Sequence, residues 1–352
     1  MKALLILLTL LSGFAQAEGK LRVLNWKDYI EPEVLEAFKA AHGVEVVYQT
    51  FTTADELEKH LTSGEPFDII APSHFQLTRL IDQGRLQRLD KSRLPSYRNL
   101  DPKLLGSLAS FSGANSYVVP YLWTTVGMVI NKREIAQRLG QDHPNSWSLI
   151  FDPQTASKLS DCGIGWIDAP EEFFSLWLNY QGKQLGRANP RALERYGNTI
   201  MQQAAGLRAL NNDAYIEDLA EGRLCIAMAW AGHAISAARK RPDLDYSIPE
   251  EGGLLNIDNW AIPANSPNPA LAHQFIEFML DPSIAVRNTQ ATGFYSPVNE
   301  TLPEMRALAA ADPRLVSSAA ARRRLYFLEE LSADQKSAID QAWARIKQSR
   351  VH

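Results

Sequence analysis

The chain has 352 residues, of which 36 are Lys or Arg and 40 are Asp or Glu, so its formal net charge is −4 at pH 7. Apolar residues make up 45% and charged residues 22%, a globular composition that excludes collagen-like, disordered and disulfide-scaffold classes. The length predicts two domains, and the lack of a basic excess argues against a nucleic-acid partner. Small molecules or proteins remain as partners.

The first 17 residues have the pattern of a secretory signal peptide. Lys2 supplies the positive start, residues 3–11 are mostly apolar, and Ala15 and Ala17 form a small-x-small cleavage site. We expect cleavage after Ala17, and the loss of Lys2 changes the net charge from −4 to −5. No Cys follows to carry a lipid anchor, and no later apolar stretch approaches the about 20 residues of a membrane helix. These features predict a soluble periplasmic protein, with a buried N-terminal helix as the alternative.

Strands and helices alternate in the N-terminal third. Apolar runs predict strands, and helical spacing predicts helices, at residues 21–26, 32–41, 44–51, 54–63, 67–71 and 75–83 in turn. This alternation predicts an α/β fold with a mainly parallel sheet and helices on both faces. Ligands bind beyond the carboxyl ends of such strands, which directs attention to the loops at residues 26–29 and 72–74.

Two apolar runs, at residues 117–123 and 126–131, are candidates to carry the chain from one lobe to another. A second alternating region follows, with predicted elements at residues 163–168, 173–181, 190–206, 214–222 and 225–230. Later come a strand at 258–262, a helix at 269–280 and a last helix that opens with the capping-box pattern of Ser332 and Gln335. Two lobes joined by strand-like crossings, without a flexible linker, indicate a hinge.

Cys162 and Cys225 are the two cysteines of the chain. An exported protein meets an oxidising compartment, so one disulfide is the default expectation. Each cysteine also opens a strand-like run, and neighbouring strands that start at the same end of a sheet would bring the two sulfur atoms together. Two separate buried thiols are the alternative.

The sequence contains none of the common catalytic, nucleotide-binding or metal-binding motifs, so we expect no enzyme activity, cofactor or metal site. Its distinctive chemistry is the placement of Trp beside acids at strand ends, as in Trp26 with Asp28, and Trp260 with Asp258. A Trp face beside a carboxylate suits an organic cation. Core packing and helix capping are the alternative explanation for each pair.

Several segments carry a resemblance to a known family. They are residues 25–30 (NWKDYI), 67–73 (FDIIAPS), 89–95 (LDKSRLP), 168–172 (DAPEE), 229–232 (AWAG) and 248–253 (IPEEGG). In this order and spacing, nearly the whole mature chain resembles the periplasmic polyamine-binding proteins of ABC transporters. The resemblance implies a two-lobed periplasmic binding protein of type II, with crossing hinge strands, that closes on putrescine or spermidine. It also implies a Cys162–Cys225 bridge.

The expected domains are a signal peptide at 1–17, a first lobe at 18–124 and 250–298, and a second lobe at 125–249 and 299–352. The resemblance further implies ligand-binding roles for individual residues. It gives aromatic walls at Trp26, Tyr29, Trp230 and Tyr295. It gives amine-binding acids at Asp28, Glu172 and Asp258, and a hydroxyl at Ser73.

Three positions depart from the family pattern. Lys27 replaces a small hydroxyl residue, His233 replaces an Asp that holds an ammonium, and Asn256 replaces an aromatic residue. We include all three among the candidate ligand-binding residues. If Lys27 points inward, the cavity end near His233 would suit a neutral or anionic group. Alternatively, Lys27 points to solvent and His233 is a neutral member of a polyamine site.

The leading functional prediction is a monomeric receptor that delivers a small amine to an inner-membrane ABC permease. The alternatives are a receptor of the same fold for an ω-amino acid or an acylated polyamine, and a sensory protein that partners a membrane signalling receptor.

Overall fold

The structure, a computed structural model, describes residues 19–350, and the predicted signal peptide lies outside this range. Its strands are β1 Gly19–Trp26, β2 Val44–Phe51, β3 Ile69–Ile70, β4 Val118–Asn131, β5 Ile164–Trp166, β6 Ala209–Leu210, β7 Ile226–Trp230, β8 Leu244–Ser247, β9 Gly253–Ala261 and β10 Leu325–Phe327. Its α-helices are α1 Pro32–His42, α2 Ala54–Thr62, α3 His74–Asp82, α4 Pro102–Leu108, α5 Lys132–Leu139, α6 Ser148–Phe151, α7 Pro153–Ser157, α8 Pro170–Tyr180, α9 Pro190–Ala204, α10 Ala214–Ala220, α11 Ala231–Lys240, α12 Pro269–Met279, α13 Pro282–Thr292, α14 Pro303–Ala311, α15 Ala319–Arg322 and α16 Ala333–Gln348. None of the helices in this range is long and apolar enough to span a bilayer.

The first β-α-β unit forms where the sequence predicts it. Helix α1 begins at Pro32, which suits the first helical turn because the N–H groups there have no intrahelical partner. The helix ends where Gly43 adopts a left-handed conformation with φ of 67°. Strand β1 pairs in parallel with both β2 and β3. The carboxyl ends of these strands therefore meet at one edge, as predicted.

One mixed sheet runs through the molecule in the order β2-β1-β3-β9-β4-β7-β5-β6, with β8 on β4 and β10 on β9. The predicted crossing runs form a single strand, β4, which is buried along its whole length. Thr124 and Thr125 join the two runs because both continue the antiparallel ladder with β9. Beyond them β4 pairs with β7 and β8, so this strand crosses from one lobe to the other.

The buried apolar side chains form separate cores in the two lobes. Val23 and Phe38 belong to the first lobe, whereas Trp166 and Ile226 belong to the second. Strand β4 contributes Val119 to the first lobe and Met128 to the second. The fold is therefore the two-lobed α/β architecture with crossing hinge strands.

The C-terminal part of the chain packs differently from the expected division at residue 299. Met305, Leu308 and Leu315 belong to the core of the first lobe, whereas Leu328 and Trp343 belong to that of the second. An amphipathic pattern predicts that a helix buries one face, but not which of two cores receives it. We propose that the chain returns to the second lobe near residue 328.

The structure joins Cys162 and Cys225 in a disulfide, with their Cα atoms 5.5 Å apart. The predicted reason holds, because β5 and β7 are parallel neighbours in which Ile164 is opposite Ile226. Each cysteine precedes its strand, so the bridge ties the same ends of both strands. The disulfide is confirmed, and the alternative of two separate thiols is wrong.

Candidate functional site

A cavity of about 660 Å³ lies between the lobes, and both lobes supply its walls. It opens at the carboxyl ends of β1 and β3, where the sequence predicts the ligand-binding loops, and at that of β7. Ten of the eleven candidate residues line it, namely Trp26, Lys27, Asp28, Tyr29, Ser73, Glu172, Trp230, His233, Asn256 and Asp258. Residues far apart in the chain thus converge on one site.

Tyr295 is the candidate that does not line the cavity. Its ring packs against Trp123 at 4.6 Å between centroids, and the backbones of the two residues exchange hydrogen bonds of 3.0 Å. The neighbouring residue Phe294 faces the cavity instead. Successive side chains of an extended segment point in opposite directions, so Phe294 rather than Tyr295 contributes an aromatic face to the cavity.

Asp258 anchors the first-lobe side of the cavity and is only 4% exposed. The Tyr29 hydroxyl donates a hydrogen bond of 2.6 Å to its Oδ2, and the Ser73 hydroxyl donates to its Oδ1. An isolated bridge between the backbones of Ser73 and Asp258 places the two side chains together. Burial raises the pKa of Asp258 to about 6, although both hydrogen bonds favour the ionised form.

Glu172 is the buried acid of the second lobe, in the first turn of α8, and is 7% exposed. Its Oε1 accepts hydrogen bonds from Asn256 Nδ2 and from Trp230 Nε1, the latter at 3.4 Å. Its Oε2 is buried and has no hydrogen-bond partner among the described residues. Burial raises the pKa of Glu172 to about 7.

His233 and this second acid share Trp230 as a neighbour. Its Nδ1 is 3.0 Å from the hydroxyl of Tyr215, and its ring packs edge-on against Trp230 and Phe294. Burial lowers its pKa to about 4, so the imidazole is neutral at physiological pH. His233 therefore offers this end of the cavity a neutral hydrogen-bonding group rather than a charge.

Lys27 points neither freely into the cavity nor freely into solvent. Its Nζ lies 2.6 Å from Oδ2 of Asp213, and both side chains are about half exposed. Lys27 belongs to the first lobe and Asp213 to the second, so this ion pair crosses the mouth of the cavity. No pattern in the sequence points to Asp213 as a site residue, because 186 positions separate it from Lys27.

Asp28 projects from the loop after β1 with φ of 58°, a left-handed conformation that Asp tolerates better than most residues. Its side chain is exposed and lines the same cavity. Asp168 is another acid in the lining, where it accepts from Trp343 Nε1 at 2.6 Å and from Lys347 Nζ at 2.5 Å. Both carboxylate oxygens of Asp168 thus already accept hydrogen bonds from residues of α16.

The lining is strongly acidic. It contains eight acidic and two basic side chains, an excess of six formal negative charges, at Asp28, Asp55, Asp168, Glu171, Glu172, Asp213, Asp258 and Asp340 against Lys27 and Lys347. Among the described residues, no group of three or more His, Cys, Asp or Glu side chains is arranged to hold a metal ion. The arrangement suits a small organic cation with an apolar body.

Comparisons with known proteins agree with this geometry. A family model described as bacterial extracellular solute-binding protein matches residues 33–315. The chain is 33% identical to the putrescine-binding periplasmic protein PotF of Escherichia coli, over 96% of this chain and 94% of that protein. It is 34% identical to a putrescine/cadaverine-binding protein of Pseudomonas aeruginosa, over 99% of both chains. A solved structure described as a putative spermidine/putrescine ABC transporter from Listeria monocytogenes matches with a TM-score of 0.83 at 28% identity, over 94% of this chain and 100% of that one.

Proposed function

The chain belongs to the family of bacterial extracellular solute-binding proteins, and we propose that it is a periplasmic receptor that closes its lobes over a polyamine and delivers it to an ABC permease. Relatives named for putrescine and cadaverine binding support the ligand class. The same relatives are named as binding proteins rather than enzymes, so we propose no catalytic step. We also propose that the receptor works as a monomer.

The observation that carries this proposal is the pair of buried carboxylates, Asp258 and Glu172, on opposite lobes of one cavity. A buried carboxylate is unfavourable unless a cation or hydrogen-bond donors compensate it. Burial raises the pKa of both side chains, so each stands to gain from a cation that replaces its proton. A polyamine brings one ammonium to each acid.

Aromatic rings supply the remaining walls for such a ligand. Trp26, Trp230 and Phe294 line the cavity, and Tyr29 packs against Phe294 at 4.3 Å between ring centroids. Flat apolar faces bury the methylene groups of a polyamine, and a ring face attracts an ammonium by about 0.5–2 kcal/mol. Rings and acids together match both parts of the ligand.

Ligand contacts on both lobes provide a reason for closure. Asp258 belongs to the first lobe and Glu172 to the second, so one ligand bridges them only when the lobes approach. A ligand that binds the closed state better shifts the population toward it. Closure would then present a surface shaped by both lobes to the permease.

The main alternative is a ligand with one ammonium and one anionic or neutral end, such as an ω-amino acid or an acylated polyamine. Neutral His233 favours this alternative, because it can hydrogen bond to a carbonyl or carboxylate. Lys27 argues against an anionic end, because Asp213 already neutralises its charge. Under the polyamine proposal, His233→Asp changes putrescine affinity by less than about tenfold. A larger gain, with loss of γ-aminobutyrate binding, would support the alternative.

Thermal shift and calorimetry on the chain from Glu18 onward test the proposal. The ligands are putrescine, spermidine, γ-aminobutyrate and N-acetylputrescine, each over a range of concentrations. A ligand that binds only the folded protein raises its melting temperature with concentration. We expect stabilisation by putrescine or spermidine. Stabilisation by γ-aminobutyrate or N-acetylputrescine alone would replace the proposed ligand class, and no response to any amine would reject it.

A further inference from the structure

Two buried acceptor atoms in the cavity have no hydrogen-bond partner among the described residues. They are Glu172 Oε2 and Asn256 Oδ1, and their side chains are only 7% and 5% exposed. The other polar atoms of the two groups are used, because Asn256 Nδ2 donates to Glu172 Oε1. An unpaired buried acceptor is unfavourable, so Glu172 and Asn256 lack a hydrogen-bond donor for these two atoms.

The chemistry of the pair fixes which way the amide faces. When a bound cation keeps Glu172 ionised, its carboxylate only accepts hydrogen bonds, so the NH2 group of Asn256 faces Glu172 and its carbonyl oxygen faces elsewhere. Trp230 Nε1 donates to the same Glu172 oxygen at 3.4 Å. The donors of the protein are therefore concentrated on Oε1, and the two acceptors left over suit a donor with several protons.

The charged groups around this pair do not supply that donor. Lys27 is held by Asp213, and His233 is neutral and engaged with Tyr215. The nearby acid Glu171 is paired with Lys336 at 3.2 Å. An ammonium from a ligand is the group that this end of the cavity lacks.

We propose that Asn256 is a specificity-determining residue whose Oδ1, together with Glu172 Oε2, holds one ammonium of an unbranched diamine while Asp258 holds the other. This inference rests on the proposed function and narrows its ligand to a short diamine. It also gives Asn256 the contact with an ammonium that neutral His233 does not provide.

The spacing along β9 matches such a ligand. Asn256 and Asp258 lie two residues apart in this strand, and both face the cavity. A rise of about 3.3 Å per residue separates the two positions by about 6.6 Å. The nitrogen atoms of an extended four-carbon diamine are joined by five bonds of about 1.5 Å, which span about 6 Å. Diamines with four or five carbons therefore reach both positions without folding.

A ligand series on the unmutated protein tests the spacing by calorimetry. The probes are 1,3-diaminopropane, putrescine, cadaverine and 1-aminobutane. We expect putrescine or cadaverine to bind at least about tenfold more tightly than the other two, because only they place an ammonium at both positions. Equal affinity for putrescine and 1-aminobutane would overturn the inference.

Asn256→Leu tests the residue itself, because leucine has a similar volume and no polar atom. We expect it to weaken putrescine about 10- to 100-fold. It should leave 1-aminobutane unchanged, since that monoamine lies against Asp258, the more readily ionised acid. A melting curve without ligand confirms that the variant folds. An equal loss for both ligands, or no loss, would overturn the inference, whereas failure of the unmutated protein to bind any amine would reject the proposed function instead.

Discussion

The two ends of the cavity hold their buried acids in different ways. Asp258 accepts a hydrogen bond on each oxygen, from the hydroxyls of Tyr29 and Ser73. Glu172 accepts only on Oε1, and its Oε2 has no partner among the described residues. Burial raises the pKa of Asp258 to about 6 and that of Glu172 to about 7, so the acid with more hydrogen bonds ionises first.

This difference assigns different tasks to the two ends. The hydroxyls orient Asp258 and stabilise its charge before a ligand arrives, so its geometry is preorganised. Glu172 lacks a donor that the ligand must bring, because Asn256 and Trp230 both donate to its other oxygen. We infer that Asp258 provides a general amine anchor, whereas the Glu172 end decides which amine is accepted.

The largest effect is expected from removing the charge of the anchor. Asp258→Asn keeps the shape of the side chain but leaves the ligand ammonium without its counter-charge. Losing one partner of a buried charged pair costs about 2–5 kcal/mol, so putrescine affinity should fall about 30-fold to several thousand-fold in calorimetry. Glu36→Gln, on the exposed face of α1, is the control for charge alone and should change nothing. A greater loss in Glu172→Gln than in Asp258→Asn would reverse the assignment of the two ends.

Much of this comparison was visible in the sequence. Trp26 ends β1 and Ser73 follows β3, and a parallel sheet brings such ends to one edge, so the pattern was sufficient to predict where the cavity opens. Asp258 was expected at the start of a strand but lies inside β9. The Cys162–Cys225 bridge followed from the same reasoning, because each cysteine starts a strand-like run. Both features depend on local sequence patterns that define strand ends, and these can be identified without knowledge of the tertiary structure.

Other features depend on packing between distant parts of the chain. Tyr295 and Phe294 are both aromatic, and only the direction of the backbone decides which of them faces the cavity. The Lys27–Asp213 pair joins residues 186 positions apart, and no periodicity links them. The hydrogen bond from Asn256 to Glu172 likewise depends on the packing of β9 against α8, which no local sequence pattern indicates.

The two raised pKa values predict opposite effects of pH on binding and on stability. An ammonium binds the ionised acids, so putrescine affinity should rise on the order of 100-fold between pH 5.5 and 7.5, as Glu172 and Asp258 lose their protons. Without ligand, ionising these acids is a penalty that the unfolded chain does not bear. The contribution of these two acids to the free energy of unfolding should therefore fall as pH rises from about 4.5 to about 7.

Calorimetry and melting curves across this pH range measure both trends. His233, whose pKa burial lowers to about 4, is neutral in the folded protein above about pH 5 and should not contribute to the trend in affinity. In the unfolded chain a histidine titrates at about pH 6.5, so buried His233 and His74 change the stability in the opposite direction to the two acids. The contribution of Glu172 to stability is therefore measured as the difference between the unmutated protein and Glu172→Gln. Glu172→Gln should remove most of the change in affinity above pH 6.5 and leave the part that belongs to Asp258. A profile that this substitution does not alter would show that Glu172 is not the group that titrates at the selective end.

The smallest effect is expected at the mouth of the cavity, where Lys27 and Asp213 form their exposed ion pair. Such pairs contribute at most about 1 kcal/mol. Asp213→Asn removes a contact between the lobes and also leaves an unpaired cation beside the ligand, so putrescine affinity should fall about threefold to fivefold. Lys27→Met removes the same contact but leaves an unpaired acid, which attracts the ligand, so its two consequences oppose each other and the net change should be smaller.

The difference between the two variants should shrink in 0.5 M salt, which screens exposed charges within about 5 Å. Equal losses in both variants at low salt would mean that the pair acts only as a contact between the lobes, and that the charge at the mouth has no part in selecting the ligand.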